Sequence, residues 1–144
     1  VKISFMDLNW ELSARLLVAA LLGALVGWER EQAQRPAGLR TYMLVSFGSA
    51  LFTVLSVIAF GPNADPGRLA ANIVVGIGFL GAGTIFREGE IVRGLTTAAG
   101  LWAVAAIGMS AGVGQYLLAI ISTAIVLVIL AGVRFVETHK NSRF

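Results

Sequence analysis

The sequence contains no cysteine, which rules out disulfide bridges, thiol catalysis and thiolate metal ligands together. Histidine occurs once, at His139 in the terminal tail, so a zinc site or a histidine-based triad inside the apolar body is excluded. Lysine is limited to Lys2 and Lys140, which removes a serine with a lysine base from the same region. The chain reads as a non-enzyme. Charge of either sign is scarce: only 13% of the 144 residues are Asp, Glu, Lys or Arg, against about a quarter in a soluble domain. The net charge is +3, but no Lys/Arg run carries interleaved aromatics, so nucleic acid is not an expected partner.

What is present is hydrocarbon. Hydrophobic residues make up 57% of the chain and the mean hydropathy is +0.82, the profile of a membrane protein. A bilayer core about 30 Å thick needs about 20 apolar residues as helix, with about 17 as the lower limit. Five stretches qualify: residues 12–28, 41–60, 69–86, 95–112 and 116–133. The expected fold is therefore all-α, a polytopic transmembrane bundle of about five spans filling residues 1–144 as a single domain. The stretch after Lys2 is too long for a signal-peptide core and lacks a convincing cleavage site, so it is read as retained.

Orientation follows from Lys and Arg, which favour the cytoplasmic side. Five spans put Lys2, Arg15 and Arg68 on one side, and Arg30, Arg35, Arg40, Arg87, Arg93, Arg134, Lys140 and Arg143 on the other. The N-terminus is expected outside and the C-terminus in the cytoplasm. Trp10, Trp28, Phe60, Phe86 and Tyr116 fall at span boundaries, as an aromatic belt requires. Arg15 lies one turn inside the first span and is expected to snorkel outward without a buried partner.

The stretch "VVGIGFLGAGTIF" contains G-x-G-x-x-G at Gly76, Gly78 and Gly81. A dinucleotide fingerprint needs a preceding strand, a crossover helix and an acidic residue about 20 positions on; that position, near Leu101, is apolar. Small residues at helical spacing instead suggest close helix packing, the main source of packing energy in lipid. Ala19, Gly23 and Gly27 form one ridge, Gly108 and Gly112 another, and Gly76, Gly78, Gly81, Ala82 and Gly83 expose backbone on nearly every face of the third span. The third span is the expected hub, and the bulky fifth span is expected at the lipid-facing periphery. Five spans make a thin unit, so a homodimer is expected, with the ridge on the first or fourth span as its seam.

The segments "LLGALVGWERE", "AGLRTYMLVSFGSALF", "GIGFLGAGTIFREG" and "VRGLTTAAGLWAVAAIG" resemble, in order, the signature segments of the MgtC/SapB membrane-protein family. The resemblance runs from about Leu16 to about Leu130. It implies a protein of the bacterial inner membrane, linked to growth under magnesium limitation and to virulence, that acts through contacts with other membrane proteins, including the proton-driven ATP synthase. Longer members continue into a small cytoplasmic C-terminal domain, which this chain is expected to lack. Relatives that bind the ATP synthase carry Asn after "RGL", where this sequence has Thr96.

The topology brings Glu29, Arg30, Glu31, Arg40, Thr41, Arg87, Glu88, Arg93, Thr96 and Thr97 near one plane on the cytoplasmic side. Unpaired charge at such a boundary costs several kcal/mol, so these groups are expected to pair. Three readings stay open: a salt-bridge network with lipid head-group contacts, a docking surface for a partner protein, and an ion or anion site at the helix N-termini. A magnesium or other ion transporter is the alternative function. Magnesium favours carboxylates, yet no carboxylate falls at mid-depth, and Asn72, near the start of the third span, is read as an interhelical hydrogen bond. No metal site and no cofactor is expected. A further pattern is "GLRT" at 38–41 and "GLTT" at 94–97, each opening a span, which suggests that spans one and two repeat as spans three and four.

Overall fold

The computed structural model describes residues 5–58 and 65–132, and within them the chain is helical apart from one small hairpin. Helices α1 (Phe5–Gln32), α2 (Leu39–Ile58), α3 (Pro66–Ala82), α4 (Leu95–Gly112) and α5 (Tyr116–Leu127) follow in order, and α5 runs on into a π-helical stretch, Val128–Gly132. Strands β1 (Phe86–Glu88) and β2 (Ile91–Arg93) pair antiparallel between α3 and α4. Lys2, Phe60, Arg134, His139, Lys140 and Arg143 lie outside the described residues, as does most of the link from α2 to α3.

Three helical stretches are long and apolar enough to cross a membrane, Asn9–Gln32, Leu39–Ile58 and Leu95–Gly112; the apolar stretches Gly67–Ala82 and Tyr116–Gly132 are shorter. Local chemistry sets several of their limits. Asp65 accepts the Gly67 N–H at 2.8 Å and Pro66 follows it, an N-terminal signature that starts α3. At the end of α1, Gln34 adopts a left-handed φ of 51°, and its N–H and that of Arg35 return to the carbonyls of Glu31 and Arg30. This is a Schellman closure. Gly114, with φ 84°, closes α4 in the same way, its N–H bonding Ala111 and that of Gln115 bonding Ser110.

The core lies where α1, α2 and α4 meet. A Cβ on Gly23 would fall 2.7 Å from both the Ser46 Cβ and the Tyr42 carbonyl oxygen, and one on Gly27 would fall 2.8 Å from the Leu39 Cα. From the other side, a Cβ on Gly108 would strike the Ser46 carbonyl, with its carbon at 2.8 Å, and one on Gly112 would lie 2.8 Å from the Ala50 oxygen. Helix α2 is thus clasped between two bare backbones. Hydroxyls in this apolar setting bond back to their own helices: Thr53 to Ser49, Ser110 to Ala106 and Thr123 to Ala119. Helix α5 buries Ala119 and Thr123 and leaves Leu117, Leu118, Ile121 and Ile125 exposed at the periphery.

Four expectations change. The third helix is not the hub: Ile73, Ile77 and Gly81 are its buried described residues, only Gly81 among its glycines comes near a neighbouring helix (Ala98, at 3.5 Å from a Cβ), and Gly76 and Gly78 face open space. Gly83 caps α3 and meets only that helix's own carbonyls. The ridges on α1 and α4 are spent on α2 inside the chain and cannot form a seam between copies. Helix α3 ends at Ala82, short of Phe86, because the chain turns there into the hairpin, whose Gly89 has φ 63°. Arg15 has partners, since it pairs with Glu11 and donates from Nη1 to the Gly112 carbonyl at 3.1 Å, a cation at the negative end of α4.

Candidate functional site: the polar end of the bundle

The end of α1, the starts of α2 and α4, and the end of α3 with its hairpin share one end of the bundle. Contacts between elements fix this: Gly27 lies on Leu39, Gly81 near Ala98, and Gly94 on Thr84. Gly94 has φ 90°, and a Cβ there would sit 2.8 Å from the Thr84 carbonyl carbon, so only glycine lets α4 start so close to the end of α3.

Two of the charged residues are inside the protein. Arg30 is 2% exposed, and its Nε donates to Glu29 Oε2 at 2.5 Å, the carboxylate being itself largely covered. Arg30 also stands in the last turn of α1, where a cation faces the free carbonyls. Beside this pair the buried Tyr42 hydroxyl donates to the Thr97 carbonyl at 3.2 Å, and a Cβ on Gly100 would fall 2.5 Å from that hydroxyl. The Tyr42–Thr97 bond thus ties α2 to α4, and the packing of Gly27 on Leu39 and Tyr42 brings in α1, with the Arg30–Glu29 pair buried at this shared end. Tyr42 was not singled out from the sequence. Its signal was a phenol one turn into an apolar helix, a group that needs a partner when buried.

Glu31 does something different. Its Oε2 accepts the Leu39 N–H at 2.8 Å, so the end of one helix caps the start of the next. Glu31→Ala is expected to lose about 1 kcal/mol, the usual worth of an N-terminal cap, measured as a lower unfolding midpoint in detergent; an unchanged midpoint would show the cap to be idle.

The remaining residues form an exposed rim. Arg40 and Thr41 stand at one end of a groove of about 590 Å³ between α2 and α3, and Thr41 also borders a hollow of about 420 Å³ with Pro36, Leu80 and Thr84. On the hairpin, Arg87 Nε donates to the Gly89 carbonyl at 2.7 Å and Arg93 pairs with Glu88 at 3.3 Å. That pair is exposed on both sides, so it contributes little to stability. Thr96 is exposed while its neighbour Thr97 is buried. The structure thus gathers the ten residues at one end, with Glu29, Arg30 and Thr97 in an interior joint and the others on an outer surface. Among the described residues no group of three or more His, Cys, Asp or Glu side chains is placed to hold a metal ion.

Both Gly-Leu-x-Thr segments open helices, α2 and α4, but the links before them differ. One is the six-residue turn 33–38 and the other contains the hairpin.

A family model described as MgtC family matches residues 16–139. The chain is 57% identical over 112 residues to "Protein MgtC" of Salmonella typhimurium, a match covering 78% of this chain and 48% of that protein. Against "Protein MgtC" of Brucella abortus the identity is 49% over 122 residues, covering 85% of this chain and 51% of the relative. The chain spans about half the length of the curated relatives it matches. No solved structure matches it.

Proposed function

Because the chain belongs to the MgtC family, we propose that it is a multi-pass protein of the bacterial inner membrane that acts by binding other membrane proteins, in support of growth under low magnesium and of virulence. Five crossings, with the N-terminus outside, put the polar end of the bundle in the cytoplasm, in keeping with the excess of Lys and Arg there. The observation that carries this reading is the division of that end into a closed interior and a cationic rim. Glu29 is engaged by Arg30, Glu31 by the Leu39 N–H and Glu88 by Arg93, so three of the four carboxylates at this end are occupied and only Glu90, on the hairpin turn, is exposed without such a partner, whereas Arg40 and Arg87 present exposed guanidinium groups. A surface of that kind suits an acidic protein face more than a divalent cation. We read the protein as a non-enzyme, since its polar groups are arranged to bind.

The test is purification from native membranes with identification of what accompanies the protein, set beside magnesium flux in proteoliposomes. The ATP synthase, which the family resemblance implies, is the first partner to look for. Arg40→Glu with Arg87→Glu is expected to weaken recovery of the partner by about tenfold, the effect of losing 1.4 kcal/mol at an interface, while the fold is retained. Magnesium uptake by the pure protein would reverse the conclusion in favour of a transporter.

A further inference from the structure

At the end of the bundle away from the charged rim, α2, α3 and α4 border a hollow of about 310 Å³. Thr53 and Ser56 stand three residues apart on one face of α2 and both line it, each more than nine-tenths buried, and Ser110 lines it from α4. Two of these hydroxyls have their hydrogens committed: Thr53 donates to the Ser49 carbonyl at 2.7 Å and Ser110 to the Ala106 carbonyl at 2.9 Å. A hydroxyl has one hydrogen, so these two oxygens have only lone pairs left to offer. The other lining residues carry no nitrogen in their side chains. Electrostatics point the same way. Helices α2 and α4 both finish at this end, at Ile58 and Gly112, so the negative ends of two helix dipoles flank the hollow. Asp65, whose Oδ1 accepts the Gly67 N–H at 2.8 Å, adds a carboxylate beside the Gly67 wall. The remaining wall is apolar, with Val57 and Val113 in it. Such a place suits a positive group with several N–H donors, no acceptor and a short apolar stem, which describes a primary ammonium. Water would turn some of its own lone pairs on hydrocarbon.

We propose that this hollow receives the ammonium group of a phosphatidylethanolamine molecule, its N–H donors meeting the Thr53 and Ser110 oxygens and its phosphate meeting Arg68. Arg68 stands in the first turn of α3 next to Gly67, exposed, and pairs with no carboxylate among the described residues. The depth fits a head group. Ser110 lies about 3 Å of helix rise before the end of α4 and Thr53 about 8 Å before the end of α2, within the interfacial layer of a bilayer and outside its hydrocarbon core. A lysine from another protein would bring an ammonium but no phosphate for Arg68, and a choline head group carries methyls where donors are needed. The site lies opposite the polar end, so it holds whichever face is cytoplasmic and whether or not the rim binds a protein.

The test uses the intact chain in nanodiscs of equal phosphatidylethanolamine and phosphatidylcholine, released into detergent and read by native mass spectrometry. Phosphatidylethanolamine is expected to be retained about tenfold over phosphatidylcholine, the worth of one hydrogen bond to a charged group, and stepwise N-methylation of the head group should lower its retention in steps. Thr53→Val with Ser110→Ala is expected to abolish the preference, whereas Ser13→Ala, which removes an exposed hydroxyl bonded to its own helix, should keep it. Ala70→Leu fills the hollow without removing a polar group and should abolish it too. Arg68→Gln should weaken retention of the lipid through its phosphate. Equal retention of the two lipids by the unaltered protein would overturn the proposal, as would a preference that survives Thr53→Val with Ser110→Ala. Displacement of the lipid by millimolar free phosphoethanolamine would also overturn it, in favour of a soluble ligand. The N-methylation series needs no substitution, so it decides the matter even where a variant fails to fold.

Discussion

Gly108→Ala is expected to disrupt the bundle, with a loss of about 3 kcal/mol or more, although it adds a single methyl group. The added carbon would collide with the Ser46 carbonyl, and a backbone carbonyl within a helix cannot swing aside as a side chain can. Helix α2 would have to withdraw from α4, and that movement opens its contacts with α1 as well, because Gly23 meets the same Ser46 from the opposite side. Gly78→Ala is the matched control. A Cβ there meets nothing within 4 Å, and alanine is the better helix former, so its unfolding midpoint should equal or slightly exceed that of the unaltered protein. Denaturant titration of both variants in one detergent decides the matter, and equal losses at the two positions would contradict the assigned packing. Gly100→Ala gives a graded third case. Its methyl would meet the Tyr42 hydroxyl, so Tyr42→Phe should relieve part of the damage.

The second large effect is expected at Glu29. Glu29→Leu leaves the Arg30 guanidinium, 2% exposed, without its carboxylate, and breaking a buried pair from one side costs about 3–5 kcal/mol. Replacing both partners, with Glu29→Leu and Arg30→Met, removes the stranded charge and should recover most of the loss. A double replacement as unstable as Glu29→Leu alone would mean that Arg30 holds the joint through its stem packing instead of its charge. The same cycle bears on function. If the joint of Arg30, Tyr42 and Thr97 only supports the outer rim, the double variant should still recover its partner.

Much of the architecture was readable from the residues. The stretch 95–112 expected as a span is the α4 observed, and the Gly-Leu-x-Thr segments mark the starts of both α2 and α4. Glycine spacing showed where backbones could approach but not where they do. Gly23 and Gly108 converge on one serine from helices far apart in sequence, a coincidence set by tertiary packing, while the glycines of α3, spread over all its faces, pointed to a hub that the fold places elsewhere. The hairpin was missed because each strand is three residues long, too short for an alternating pattern to show. Arg30 and Arg40 looked alike in the sequence, each a basic residue at a helix end. Tertiary packing separates them, burying Arg30 and leaving Arg40 on the rim.

The grip of Arg15 on the Gly112 carbonyl joins groups 97 positions apart, and this bears on the order in which the protein is assembled. When α1 emerges from the ribosome the carbonyl it will hold has not yet been synthesised, while Glu11, one turn away and paired with the guanidinium, is already present. The α1–α2 pair can form early as a hairpin of neighbours. The latch between Arg15 and α4 can close only after the fourth helix has been threaded, which makes it a late step in biogenesis and a natural point at which quality control could tell finished from unfinished chains.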